Sequence, residues 1–162
     1  MTLTSSFSKT VAPGLRVGWF VVPEALVGAF DERAVSTYIS PPLLPQAIVH
    51  ELFERKGFHP NLDRVRDILR GQRDAMLGAL DAELAGAAKW SRPEGGYFLW
   101  VDFGGGVDAG ELLGRATEAG VTFVRGTDFF AGAGGESSAR LAFSYEPPER
   151  IAEGVRILAR LL

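Results

Sequence analysis

Residues 5–18 read S-S-F-S-K-T-V-A-P-G-L-R-V-G. A single lysine, Lys9, stands beside two hydroxyls, Ser6 and Ser8, and Arg16 follows it by seven positions. The Ala12-Pro13-Gly14 turn can fold Arg16 back beside the two serines. A guanidinium with two hydroxyls makes a cationic, donor-rich pocket suited to a phosphate dianion. A lysine amine at its edge can bond covalently to an aldehyde on the same molecule. A phosphate clamp beside a carbonyl-trapping lysine is what pyridoxal phosphate requires.

The elements that must position these groups follow from local pattern. Residues 2–7 are β-favouring, and residues 15–22 (LRVGWFVV) form an apolar run that predicts a buried strand opening at Arg16. Pro23 to about Tyr38 predicts a helix with Leu26, Phe30 and Ala34 on its inner face. The three prolines of residues 40–45 must break any helix, and helical spacing resumes at Gln46 and stops at Gly57. A long amphipathic helix is expected from about Asn61 to Leu84, with Arg64, Arg66, Arg70 and Arg73 on a solvated face.

Beyond Lys89 the texture changes. Residues 97–103 (YFLWVDF) predict a strand, and Asp108 with Glu111 a capping box before a helix that stops at Gly120. Residues 121–124 and 139–145 predict two more strands around a glycine-rich loop. Pro147 and Pro148 open a last helix with Ile151, Val155, Leu158 and Leu162 on one face. Two or three strands with two helices on one side would make a small α+β lobe. Tyr97, Phe98, Trp100, Phe129 and Phe130 are expected as packing residues.

Bulk properties exclude several classes. A net charge of -3 gives no electrostatic support to nucleic-acid binding. The absence of cysteine excludes disulfide scaffolds, thiolate metal sites and cysteine nucleophiles. It fits a cytoplasmic protein, as does an N-terminus with no basic-then-apolar leader pattern. No apolar run is long enough to suggest a membrane span. His50 and His59 have no partners at ligand spacing, so no metal site is expected.

The lysine stretch resembles the S-x-S-K and P-G-L-R-x-G motif of fold-type I, class I/II pyridoxal-phosphate-dependent aminotransferases, in the branch with aminoadipate, kynurenine and aromatic aminotransferases. Three further stretches resemble the family pattern in the right order: P-E-G-G-Y-F-L-W-V (93–101), G-V-T-F-V-R-G-T-D-F-F (120–130) and A-R-L-A-F-S-Y (139–145). Arg125 departs from it, standing where the family usually has proline. The resemblance implies an α/β chain: a partial large domain of the aspartate-aminotransferase-like fold plus a small C-terminal α+β domain. Residues 1–40 would be the edge of the large cofactor-binding domain, 41–87 a helical bridge and 88–162 the small domain.

It further implies that Lys9 is the Schiff-base lysine, that Ser6, Ser8 and Arg16 hold the cofactor phosphate, and that Arg140 binds the substrate α-carboxylate. The cofactor is then pyridoxal phosphate, the substrates an amino acid and a 2-oxo acid, and the full-length protein a homodimer without metal, membrane or nucleic-acid partners. Full-length members carry further cofactor contacts ahead of the lysine motif, and none has a match here. The chain is therefore expected to be a C-terminal fragment that binds cofactor weakly and does not turn over alone. Some winged-helix transcriptional regulators carry an aminotransferase-like effector domain with a very similar lysine region, which is the alternative.

Overall fold

β1 (Leu3–Ser6) and β2 (Gly18–Val21) pair antiparallel, with Leu3 opposite Val21 and Ser6 opposite Gly18. The computed structural model describes residues 1–162. Its strand β2 is shorter than the apolar run 15–22 suggests, and it is not buried: Phe20 is 63% exposed and Trp19 and Val21 are also open. Pro13–Leu15 winds instead into a 3₁₀ turn, and Arg16 caps it in the left-handed region at φ 53° rather than opening the strand.

Pro23 precedes α1 (Glu24–Tyr38), where its fixed φ suits a helix start. The intended inner face of α1 is only half realised. Leu26 and Phe30 remain exposed, while Phe30 meets Phe20 with ring centroids 5.7 Å apart. Helix α2 (Leu43–Glu54) begins three residues earlier than the proline spacing suggests. Pro45 falls in its first turn, where an N–H would have no intrahelical partner. The Gln46 amide donates back to the carbonyls of Pro41 and Pro42 at 3.4 and 3.1 Å. Helix α3 (Phe58–Glu83) starts just after Gly57, ahead of Asn61.

The chain forms two compact units, Met1–Val65 and Arg66–Leu162, with the division inside α3. The second unit holds a four-stranded antiparallel sheet in the order β3-β4-β6-β5. Its strands are β3 (Lys89–Trp90), β4 (Phe98–Asp102), β5 (Val124–Arg125) and β6 (Ser138–Ala142). The two-residue β3 gives no periodic signal in the sequence. β5 lies later than the expected 121–124, because Gly120 at φ 87° first closes α4 (Ala109–Glu118). Asp108 caps α4, its carboxylate accepting from the N–H groups of Gly110 and Glu111. Pro148 occupies the first turn of α5 (Pro148–Leu161).

Period two sorts the sheet into faces. Leu99 pairs with Leu141 and Val101 with Ala139, and all four are buried. They form one core with Met76 and Leu80 of α3, Leu112 and Ala116 of α4, and Ile151, Val155 and Leu158 of α5. Burying each large aliphatic side chain stabilises the unit by about 1.5–3 kcal/mol. The opposite face carries Phe98, Trp100 and Asp102 against Ala142, Arg140 and Ser138.

Candidate functional site

Lys9 sits on a tight turn made by one carbonyl. The Phe7 C=O accepts from the N–H groups of Thr10, Val11 and Ala12 at 3.3, 2.8 and 3.2 Å, and the Phe7 N–H donates to Val17 O at 2.9 Å. Aromatic packing fixes the underside. The Phe7 ring meets Phe53 and Phe58 edge-on at 5.9 and 6.5 Å, and those two rings stack at 4.4 Å. The Asn61 amide donates to Thr10 O at 3.1 Å. With its base held this way, the turn leaves Lys9 exposed and Ser8 half-buried beside it.

The structure brings Arg16 back onto this turn. Its Nη1 donates to Ser8 Oγ at 3.4 Å and to Pro13 O at 3.3 Å. The left-handed backbone at Arg16 aims the side chain there. For a residue with a Cβ that conformation costs about 1 kcal/mol, and such positions cluster where function requires them. Ser6 ends β1 opposite Gly18. Ser8, not Ser6, is the serine hydrogen-bonded to Arg16. A guanidinium, a hydroxyl and a neighbouring amine on one short turn have the donor chemistry that a phosphorylated aldehyde needs, so these residues fit pyridoxal phosphate.

Arg140 lies in the second unit, mid-strand on the sheet face turned away from the helices. It pairs with Trp100 on one side and Val124 on the other. Its guanidinium carbon stands 4.0 Å from the Phe98 ring centroid and 4.7 Å from that of Phe129. Phe129 in turn meets Trp100 edge-on at 5.5 Å. Both distances are within cation–π range, so two aromatic rings stand against the cation. Its Nε is buried without a hydrogen-bond partner, and no carboxylate of the chain pairs with it. A buried donor left unpaired costs about 1–3 kcal/mol. Arg140 thus keeps an unused hydrogen-bond donor beside the two rings.

The expectation of Phe98 as a core residue needs correcting: its ring is exposed and, with Phe129, stands against Arg140, while Phe129 and Phe130 do pack, on Trp100 and on the Gly134–Gly135 backbone, from exposed positions. The available signal was alternation: Phe98 and Trp100 share a strand face, and antiparallel pairing with β6 puts Arg140 on the same one.

Residues 1–158 match the family described as Aminotransferase class I and II. The chain belongs to that family. A 2-aminoadipate transaminase of Thermus thermophilus is 44% identical over 158 residues, which cover 97% of this chain and 39% of that protein. The crystal structure of an α-aminoadipate aminotransferase from Thermus thermophilus, complexed with N-(5′-phosphopyridoxyl)-L-leucine, superposes with a TM-score of 0.92 at 40% identity, over 99% of this chain and 41% of that one. The HTH-type transcriptional regulator NorG of Staphylococcus aureus is 31% identical over 147 residues, 91% of this chain and 33% of the regulator. The aminotransferase chain thus spans well under half the length of these relatives.

On α3, Arg70 pairs with Asp67 at 2.5 Å in solvent, whereas Arg73 departs from the expected solvated face: its side chain is largely buried, pairs with Asp74 at 2.7 Å and donates to the carbonyls of Pro93 and Glu94 at 3.4 and 3.1 Å. No group of three His, Asp or Glu is placed to hold a metal ion, and no helix is long and apolar enough to cross a membrane. On the outer sheet face the Gly104 N–H and the Ser137 hydroxyl both donate to Asp102 at 2.9 Å. These bonds, with the Lys89 charge, hold the Asp102 carboxyl below its ordinary range. Burial pushes the Tyr97 phenol up.

Proposed function

We propose that this chain is the C-terminal part of a pyridoxal-phosphate-dependent aminotransferase that moves an amino group between an amino acid and a 2-oxo acid. In this reading residues 1–40 are the edge of the cofactor-binding domain, 41–87 a helical bridge and 88–162 the small domain. Lys9 bonds to the cofactor, Arg16 and Ser8, with Ser6 beside them in sequence, hold its phosphate, and Arg140 takes the substrate α-carboxylate. Family membership supports a homodimeric, cytoplasmic whole protein. The carrying observation is the Arg16 guanidinium folded onto Ser8, one residue from Lys9.

When bound, pyridoxal phosphate supplies an electron sink for the carbon that loses its proton. The chain's own residues do the rest. Arg16 and Ser8 neutralise and orient a phosphate through charge-assisted hydrogen bonds. The Lys9 amine would serve as the base that takes the proton from the substrate's α-carbon. Arg140, with two rings against its guanidinium, offers a carboxylate a set of donors and so sets the substrate's direction.

Three lysines, Lys9, Lys56 and Lys89, make the reading testable by covalent trapping. The protein is incubated with pyridoxal phosphate, reduced with borohydride and mapped by mass spectrometry. Labelling should favour Lys9, fall on Arg16→Ala at that position only, and weaken with pyridoxal, which lacks the phosphate. Equal labelling of all three lysines, unchanged by Arg16→Ala, sinks the assignment. The chain alone should show no transaminase turnover.

A second reading is supported by the match to the regulator NorG. The same residues would then form the aminotransferase-like effector domain of a winged-helix regulator. The nucleotide sequence upstream of the Met1 codon separates the two: a basic helix-turn-helix favours the regulator, a large-domain start the enzyme.

A further inference from the structure

The turn that brings Phe129 to Arg140 is fastened on its other side. Arg125, the last residue of β5, pairs with Asp128 through two contacts, Nη2 to Oδ1 at 2.8 Å and Nε to Oδ2 at 3.4 Å. Between them Gly126 and Thr127 wind one short 3₁₀ turn, which Phe129 completes. Arg125 sits opposite Ala139 and Val124 opposite Arg140, so Arg125 and Arg140 hold successive positions of the strand pair and point to opposite faces, and the turn after Arg125 carries Phe129 round to the Arg140 side. The turn is closed from behind as well: Gly126 is buried against Gly135 and Ser138, with no room for a Cβ, and Gly134 and Gly135 lie against the Phe130 ring. Phe129 is 46% exposed, so core packing alone does not hold its ring over Arg140.

We propose that Asp128 is a positioning residue for the anion site: its two-point pairing with Arg125 fixes the turn that lays Phe129 against the Arg140 guanidinium. The inference rests on the reading of Arg140 as the group that holds a substrate carboxylate. Phe98 on β4 supplies one of the two rings from a strand that cannot shift without breaking the sheet. Phe129 supplies the other from a turn that can. A released turn leaves the guanidinium with one aromatic wall and more torsional freedom, so a carboxylate meets a less oriented partner. Asp128 touches no ligand in this scheme and acts only through Phe129.

The test uses the full 162-residue chain, ¹⁵N-labelled, titrated with 2-oxoglutarate while the Arg140 Nε–Hε resonance is followed. Asp128→Asn should weaken the 2-oxoglutarate affinity by roughly two- to fivefold, the range open to an exposed pair of good geometry, and should move the Arg140 resonance before any ligand is added. Asp128→Glu, which can still reach Arg125, should restore both. The thermal midpoint should stay near that of the parent chain, because the pair is solvent-exposed. If Arg140→Ala abolishes binding while Asp128→Asn binds like the parent and leaves the resonance in place, the positioning role is refuted and the anion site stands. If Arg140→Ala binds 2-oxoglutarate like the parent, the anion site itself fails and the positioning role goes with it.

Discussion

Replacing Gly126 by alanine tests the packing behind the anion site. An ideal Cβ there would lie 2.4 Å from the Gly135 carbonyl oxygen, 2.8 Å from Ser138 Cβ and 2.9 Å from the Ser138 carbonyl oxygen. Two of these neighbours are backbone atoms, so no rotamer change relieves the clash. Ordinary contact begins at 3.4 Å, and the loop must open by about 1 Å on the Gly135 side. Overpacking of this kind costs about 1–3 kcal/mol. The alanine also restricts the unfolded chain, which returns about 0.4–1 kcal/mol. The clash wins, and Gly126→Ala should destabilise the second unit by about 1–2 kcal/mol. With a urea slope of about 1 kcal/mol per molar for a unit of this size, the unfolding midpoint falls by about 1–2 M. Gly132→Ala is the control, since nothing lies within 4 Å of its added methyl. Urea melts followed by tryptophan fluorescence report both stability and the loss of the Phe129 contact with Trp100. Coincident melts for Gly126→Ala and Gly132→Ala would refute the close approach of the two loop strands.

Leu80→Ala removes a side chain with no exposure from the centre of the core; a loss of about 2–5 kcal/mol is expected in equilibrium urea unfolding, and a loss under 1 kcal/mol contradicts the helix-on-sheet packing. Asp108→Ala deletes the N-cap of α4 and should cost about 1 kcal/mol, read as a lower thermal midpoint by circular dichroism that Asp108→Ser largely recovers. Asp102 has a folded-state carboxyl held below its unfolded range, so its contribution is complete above the unfolded value of about 4 and fades as pH falls through the folded one. The stability gap between the parent chain and Asp102→Asn should therefore be present at pH 6 and shrink toward pH 2; a gap that widens on acidification reverses the assigned sign.

Helices, and the two ends of α4, are the most legible features of the sequence, because their signals are local, whereas α2 and α3 both start three residues ahead of the spacing. Asp108 and Gly120 bracket α4 through a cap and a left-handed stop, each decided within four residues. The start of α2 was misplaced for an equally local reason. A proline in a first turn and a proline that ends a helix look alike until the backbone path is known, and here Gln46 bonds back to Pro41 and Pro42 to secure the earlier start. The run 15–22 suggested burial from composition alone. Composition reports what a segment can bury, not whether anything lies over it, and in this chain Phe20 and Val21 lie open.

The two candidate clusters, one in each compact unit, differ in the same way. Lys9, Ser8 and Arg16 fall within nine residues, so one turn decides their encounter and the motif can be read directly. What the sequence hid was that the turn closes through a left-handed Arg16 and that Ser8 is the serine bonded to it. Arg140 depends on three separate segments. Phe98 reaches it only through the β4–β6 register, and Phe129 only through a 3₁₀ turn whose form depends on Gly126 meeting Gly135 and Ser138. Register and loop closure are long-range facts, set by the buried Leu99–Leu141 and Val101–Ala139 pairs on the other face of the same strands. A slip of one residue would send Arg140 into the core and Leu141 into solvent. The apolar pattern that builds the core is therefore also what aims the guanidinium outward, between two rings, with its Nε unpaired.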